Sequence, residues 1–519
     1  MTSAAERIGA GLQPARAARP IRALERIHVV GAAGAGASAA AILAARAGAS
    51  VSGCDPGGPS PYTPALEALG IVLAGEHSAG HVTNPPRPDR LAVTKAVTAV
   101  DPGQPELTAA RDAGIPLEPW QQVVADAAIG RTLVGVAGTH GKSTTAGWLV
   151  HVLAAAGADP SAFVGALMPS SVTGGPPATA RWGRGQAFVV EADEYAGNFD
   201  AYRPDLAVLT SAEWDHPDVF ADRDAVVATF GAWLLRTPPG ATVVANVSDP
   251  GVEAVLDGLA GWPGGILAYA LVDQAPQRLG GYARAISERF RSGGGPATAL
   301  LGRVTATDRE STTLEIHGFD SLVGPFTTRL PTAGRHNAAN ALAVAGAAYV
   351  LGVAPAAIGA HLATFTGIGR RLERKGEAAG VVVYDDYGHH PTAIRETLAA
   401  VRQREPGRPV WAVYEPLTFH RTAAMLGQFA EVLSGADGVA IADIWAGRDP
   451  DTTIASATGL AEAIAARRPG LPVFAPGSVD DTADRLATEV RSGDVVLVMG
   501  GGASYRIGDR LLRRLAERG

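Results

Sequence analysis

Short apolar runs, each closed by a glycine-containing turn and followed by an alanine-rich stretch of helical spacing, recur along the chain from residue 27 onward. That alternation predicts an α/β protein, in which apolar strands are covered by crossover helices. Runs at 27–30, 50–53, 91–93 and 115–117 make a first small parallel sheet ending near residue 128. A second set opens at 132–137 and continues at 187–190 and 206–209; 303–307, 313–317 and 326–330 read as antiparallel additions ahead of a helix over 337–351. The glycine-rich RSGGGPA at 291–297 reads as a surface loop. A third set, 380–384, 410–414, 438–442 and 495–499, follows the Gly-Ile-Gly-Arg-Arg of 367–371. Three domains are expected, at 25–128, 129–366 and 367–519, behind a short flexible leader rich in Ala and Arg at 1–24.

Composition removes several alternatives. A chain of 519 residues, 47% hydrophobic and 18% charged, is an ordinary globular protein large enough to need no staples. Its net charge of -7, with both signs dispersed, lacks the basic stripe that neutralises phosphate backbones, so no nucleic-acid partner is expected. The one cysteine, Cys54, cannot form an internal disulfide, which fits a reducing compartment. Neither a signal-type apolar segment nor a run of about 18 apolar residues is present. A cytoplasmic protein without stable membrane insertion, monomer or homodimer, is the expectation.

Lysine is rare, occurring only at 95, 142 and 375, and Lys142 stands out by its context. Gly138-Thr139-His140-Gly141-Lys142-Ser143-Thr144-Thr145 lies between an apolar strand and a helix. There, backbone N–H groups at a helix N-terminus receive phosphate oxygens, glycine permits close approach, the lysine neutralises β and γ phosphates, and Ser143 reaches Mg²⁺. The full P-loop pattern would require glycine at 136, where Val136 stands.

Other segments admit two readings when taken alone. Gly31, Gly34 and Gly36 do not have dinucleotide-fingerprint spacing and suit an ordinary tight strand–helix turn. Val190-Glu191-Ala192-Asp193-Glu194 and Glu213-Trp214-Asp215-His216-Pro217 follow neighbouring predicted strands, where a carboxylate and an imidazole reach a cation beside the phosphate loop. A solvated acidic turn and a loop-capping histidine fit equally. Asn337 in Gly334-Arg335-His336-Asn337-Ala338-Ala339-Asn340 suits helix capping, Arg370 and Arg371 a surface pair, and Tyr384-Asp385-Asp386-Tyr387-Gly388-His389-His390-Pro391-Thr392 a metal site or a polar loop.

Together these segments resemble the Mur ligase family along the whole chain. The form of the phosphate loop and the Asp385–Thr392 signature are most similar to the branch that joins L-alanine to UDP-N-acetylmuramate. The resemblance implies a Rossmann-like N-terminal domain for a UDP-sugar, a central P-loop-type ATPase domain, and a C-terminal Rossmann-like domain completing the ATP and amino-acid sites. It implies an ADP-forming ligase of peptidoglycan precursor synthesis with ATP and Mg²⁺ as cofactors, acting through an acyl phosphate. By the same resemblance, Lys142, Glu191, His216 and Arg371 are catalytic, and Ser143, Glu191 and His216 hold Mg²⁺. Gly138, Thr139, His140, Gly141, Lys142, Ser143, Thr144, Asn337, Asn340, Arg371 and Asp386 bind nucleotide. Gly34, Ala35, Gly36, Ser38 and Asp55 face the UDP-sugar; Tyr387, His389 and His390 line the cleft; Arg421 holds the amino-acid carboxylate.

The chain departs from the family at Leu417, where a histidine is usual in the segment that holds the incoming amino acid. The acceptor is therefore open between L-alanine and a recycled tripeptide, as in murein peptide ligases. The absence of lysine between 143 and 374 favours the alanine-adding branch over relatives that carry a carbamylated lysine. A catalytically silent nucleotide-binding scaffold is opposed by intact Lys142, Glu191 and His216, and a nicotinamide-dependent enzyme by the glycine spacing.

Overall fold

The computed structural model describes residues 8–259, 262–273, 281, 284, 285, 288, 289, 297–319, 324–447, 449 and 451–517. Three sheets follow one another along the chain. The first comprises β1 (Arg26–Val30), β2 (Ser50–Cys54), β3 (Leu73–Ala74), β4 (Arg90–Val93) and β5 (Leu117–Pro119), ordered β3-β2-β1-β4-β5 and parallel throughout.

The central sheet comprises β6 (Thr132–Ala137), β7 (Ser161–Met168), β8 (Ala178–Arg181), β9 (Ala187–Glu191), β10 (Leu206–Leu209), β11 (Thr242–Asn246), β12 (Gly265–Leu271), β13 (Ala297–Thr307), β14 (Thr312–His317) and β15 (Phe326–Leu330). Its order is β15-β14-β13-β12-β11-β10-β6-β9-β7-β8. The expectation for the strand ending at 307 is half corrected: β13 runs parallel to β12 and antiparallel only to β14. Among the glycine-rich 291–297, only Ala297 lies within the described residues. The third sheet, β16 (Glu373–Ala378), β17 (Val381–Asp386), β18 (Val410–Glu415), β19 (Gly438–Ala442), β20 (Val473–Gly477) and β21 (Val495–Gly500), is ordered β16-β17-β21-β18-β19-β20 with only β16 antiparallel.

Packing explains the strand and helix compositions. The helix Lys142–Ala155 is apolar nearly all round because it is sandwiched between the central sheet and the helix Arg335–Val350. Trp148 stacks on Phe365 at 4.6 Å between ring centroids and seals its far side.

The flexible leader requires correction from residue 8 on. Gln13 N donates to Leu117 O at 2.8 Å, Leu12 packs beside the core around Val30 and Leu91, and Arg16 bridges Glu118 and Asp126, each at 2.7 Å. Arg90, 1% exposed, meets Glu118 at 2.7 Å, Asp126 at 2.6 Å and Glu25 at 3.2 Å from within the domain. Among the described residues no helix is long and apolar enough to cross a membrane.

Candidate active site

The phosphate loop leaves the carboxyl end of β6, which is flanked by β10 and β9. Segments following all three strands therefore converge at one sheet edge, the usual ligand position in parallel α/β folds. Val136 lies inside β6, so the turn itself begins at Gly138 and Val136 needs no glycine geometry. Gly138 has φ +128°, and a Cβ there would stand 2.3 Å from Thr210 Oγ1. Gly141 has φ +80°, and its Cβ would meet Asn340 Oδ1 at 2.5 Å. Thr139 N donates to Ser211 O at 3.1 Å and His140 N to Ser211 Oγ at 2.8 Å, fixing the loop against the segment after β10.

Lys142 opens the helix behind that loop. Its Nζ donates to Gly138 O at 2.6 Å and Glu194 Oε2 at 3.0 Å, with Asp193 at 4.0 Å. Burial alone would lower the ammonium's pKa, but the carboxylates of Glu194, Asp193 and Glu191 outweigh it and hold the group above its ordinary value. Burial pushes Glu194 up to about 7 even with Lys142 beside it. Ser143 Oγ donates to Glu191 Oε1 at 3.0 Å and receives Arg371 Nη2 at 2.7 Å. The other Glu191 oxygen accepts from Gly165 N at 2.6 Å, which fixes the carboxylate's direction.

His216 has its own surroundings. It adopts φ +55°, packs 4.5 Å from the Tyr195 ring, and its Nδ1 accepts from Arg421 Nη2 at 3.1 Å. Arginine only donates, so Nδ1 is the accepting nitrogen of this ring. Burial lowers His216 to about 4, leaving a neutral imidazole at neutral pH. Its donor atom groups with Asp193 and Glu194, all within 4.8 Å of one another. The expected trio Ser143, Glu191 and His216 is thus seen as a Ser143–Glu191 contact with His216 in the neighbouring acidic group.

Arg370 and Arg371 span the entry to the third domain. Arg371 reaches back to Ser143 and lies over the Tyr387 ring at 5.0 Å, whereas Arg370 pairs with Asp385 at 3.1 Å and donates to Gly500 O and Ser504 Oγ, both at 2.7 Å. Arg370 and Leu372 both occupy the left-handed region, at φ +56° and +52°. Asp386 receives Leu372 N at 2.8 Å on one oxygen and Gly388 N at 2.7 Å on the other, so it fixes the backbone on both sides.

Arg421, 2% exposed, donates Nε to Asp215 Oδ1 at 2.7 Å and ties the helix Phe419–Ala424 to the central domain. Burial would raise Asp215, but Arg421 and nearby histidines hold it well below the usual carboxylate range. His389 packs against Tyr387 with ring centroids 5.5 Å apart. His390 caps the helix Pro391–Arg404 by accepting Thr392 N at Nδ1, 3.2 Å, and its Nε2 lies 3.1 Å from Trp214 O. Both ring nitrogens of His390 therefore serve the fold. Leu417 and Tyr387 pack together over Gly501, where a Cβ would stand 2.9 Å and 3.2 Å from them, and Trp445 pairs with Leu417 through the backbone.

A single cleft of about 1750 Å³ joins these groups, lined from the first domain by Gly36, Tyr62 and Trp120, from the second by Lys142 and Glu191, and from the third by Tyr387. Three family models match the chain in order: "Mur ligase family, catalytic domain" over 26–132, "Mur ligase middle domain" over 136–348, and "Mur ligase, glutamate ligase domain" over 370–502. A UDP-N-acetylmuramate–L-alanine ligase of Kineococcus radiotolerans is 38% identical over 499 residues, covering 95% of this chain and 97% of that one. The chain belongs to the Mur ligase family. The enzyme of the same description from Frankia casuarinae is 36% identical over 518 residues, covering 95% and 98%. This Mur ligase shares its three-domain fold with the UDP-N-acetylmuramate-alanine ligase of Thermotoga maritima, TM-score 0.74 at 22% identity, covering 95% of this chain and 100% of that one. A murein peptide ligase from Psychrobacter arcticus gives 0.69 at 25%, covering 95% and 99%.

Thr139 to Ser143 of the phosphate loop, Glu191, His216, Asn337, Asn340, Arg371, Asp386, Tyr387, His389, His390 and Arg421 of this Mur ligase all line that cleft, whereas Gly138 lies behind it. Thr144 follows Ser143 on the same wall. Of the first-domain positions only Gly36 does, pressed so close to Trp120 that a Cβ would stand 2.1 Å from its ring. Asp55 holds the glycine turn by accepting Ala33 N at 3.0 Å, and buried Ser38 contacts Thr179 Oγ1 at 3.2 Å between domains. Gly34 and Ala35 begin the helix behind that turn. Sequence reasoning missed Glu194 as the partner of Lys142 and Asp215 as the partner of Arg421. Both stood in the acidic strand-end segments, and their distance in sequence from the bases concealed the pairing.

Proposed function

We propose that the protein joins L-alanine to the carboxylate of UDP-N-acetylmuramate with conversion of ATP to ADP and phosphate. The observation that carries this reading is the position of Lys142 and of Thr139 to Gly141 of its turn, inside a cleft to which all three domains contribute and which is large enough for two nucleotide-bearing substrates. Both curated relatives described above bear the corresponding name.

In this reading ATP lies on the Gly138–Ser143 turn, and a carboxylate oxygen of the sugar substrate attacks the γ-phosphorus as the bond to ADP breaks. The amine of L-alanine then attacks the acyl phosphate, expelling phosphate and losing its proton to solvent. Phosphorylation replaces oxide, a poor leaving group, with phosphate, and Lys142 and Arg371 stabilise the charge that develops. Leu417 and Tyr387 give the third-domain wall an apolar patch suited to a methyl side chain.

The residues present also fit Mg²⁺. Ser143 Oγ and Glu191 Oε1 are 3.0 Å apart beside the loop, and Asp193, Glu194 and His216 form an oxygen-rich neighbour group. A divalent cation would supply charge neutralisation to the phosphates there; Ser143 and Glu191 would hold it, with His216 in the neighbouring group.

Phosphate release with ATP, Mg²⁺ and UDP-N-acetylmuramate tests the reading. Stimulation chiefly by L-alanine, over glycine, L-serine and a muropeptide tripeptide, is expected. Stimulation by the tripeptide alone would move the protein to the recycling ligases, and silence with every amine would reject ligation of these substrates.

A further inference from the structure

Away from the cleft, the first domain gathers three imidazoles, the only thiol and a carboxylate around one point. Glu106, fully buried in the helix Pro105–Asp112, is approached by His28 Nε2 at 2.8 Å, His81 Nδ1 at 3.0 Å, His77 Nδ1 at 3.3 Å and Cys54 Sγ at 3.3 Å. His28 is 3% exposed, and its Nε2 faces Glu106 Oε1 at 2.8 Å inside the cluster. Its other nitrogen meets Ser52 Oγ at 2.8 Å, the outer hydrogen bond that fixes a ligand histidine's tautomer.

We propose that His28, Cys54, His81 and Glu106 form a binding site for a thiophilic divalent transition metal of the zinc class, with His77 supporting the sulfur from outside. One donor atom from each of the four lies within 4.8 Å of all the others. A tetrahedral zinc with bonds of about 2.0–2.3 Å spaces its donors by roughly 3.3–3.7 Å, so the present 2.8–3.3 Å contacts around Glu106 need to open by only a few tenths of an ångström. The mix of sulfur, imidazole nitrogen and carboxylate oxygen selects zinc or cobalt over magnesium, which prefers six oxygens. His77 and His81 are about one-fifth exposed and offer the entry path. In the metal-free state the thiol donates to Glu106; on binding, its proton leaves to solvent and the thiolate becomes a ligand.

The site would act on the fold at a definite place. The carbonyl of Cys54 accepts Gly31 N at 2.9 Å and Ala32 N at 3.1 Å, and Asp55 holds Ala33 N. A metal at the Cys54 sulfur thus pins the turn between β1 and its helix.

Cobalt decides the matter, because the acidic group near Lys142 contains no sulfur. The full-length chain, free of any histidine tag, is stripped with a chelator and titrated with Co²⁺. One equivalent is expected to give tetrahedral d–d absorption with a thiolate-to-cobalt charge-transfer band, displaced by one equivalent of Zn²⁺ with a rise in Tm. His81→Ala should weaken cobalt binding by roughly tenfold or more, and Cys54→Ser should abolish the charge-transfer band. Absence of that band in the unaltered protein, or an affinity unmoved by His81→Ala, would overturn the proposal.

Discussion

In the N-terminal domain Arg16, Arg19 and Arg90, with Arg22 at the exposed margin, meet Glu25, Glu118 and Asp126, at least one cation for each carboxylate. At the phosphate loop Lys142 meets Glu191, Asp193 and Glu194, one cation against three carboxylates. In the first constellation every carboxylate has a cation within 2.7 Å, the pairing a buried network needs to repay its desolvation. The second is left with excess negative charge facing a cleft. That excess costs stability in the empty protein, and it is the arrangement expected where a bound cation completes the balance. Buried charge that closes on itself belongs to the fold, and buried charge that does not close marks the site.

Breaking the closed constellation should give the larger effect. Arg90→Ala removes the buried cation shared by Glu25, Glu118 and Asp126, which keep only the partly exposed Arg16 and Arg19, and is expected to cost about 3–5 kcal/mol in urea unfolding; phosphate release per folded molecule should survive. A loss much below that would mean water enters the network. Breaking the open constellation should do the reverse. Lys142→Ala is expected to lower phosphate release by roughly 10²–10³-fold while leaving stability nearly unchanged, because Glu194, already near 7, simply takes up a proton. A large loss of stability would show that Lys142 is a structural cation.

The smallest effect sharpens the comparison at the contact between the second and third domains. His390 is neutral there because Nδ1 must accept Thr392 N, and burial lowers it from 6.5 to about 4. Below pH 6.5 the unfolded chain takes up the proton first. The stability contributed above that pH is therefore lost as pH falls toward 4, by an amount of order 1–3 kcal/mol. His390→Asn, which retains a capping side chain, should flatten the decline in Tm between those two pH values. An equally steep decline in the variant would assign the acid sensitivity to other groups.

The phosphate loop was readable because its parts are contiguous, and the strands around it because apolar runs bounded by turns survive any tertiary context. The family resemblance rested on segments equally local. β7 and β8 escaped because SAFVGALM and ATAR lack the alternation that separates strand from helix, and β8 is only four residues long. The ordering of residues 8–24 escaped for a different reason: Arg16 is held by Glu118 and Asp126, more than a hundred residues away, and nothing beside it signals the contact. The same distance hid Arg421 and Asp215, and the gathering of His28, Cys54, His81 and Glu106.

Arg371 stands between two residues in a conformation that costs an L-amino acid about 1–2 kcal/mol each. With Arg370 anchored to Asp385 and Leu372 to Asp386, the backbone has little freedom to let the intervening guanidinium swing on its own. Its reach to Ser143 is then a gauge of where the whole third sheet stands. Any rotation of that sheet away from the loop would carry the charge out of range at once, so the moment at which phosphoryl transfer becomes feasible is set by a rigid-body arrival rather than by the rotamer of one side chain.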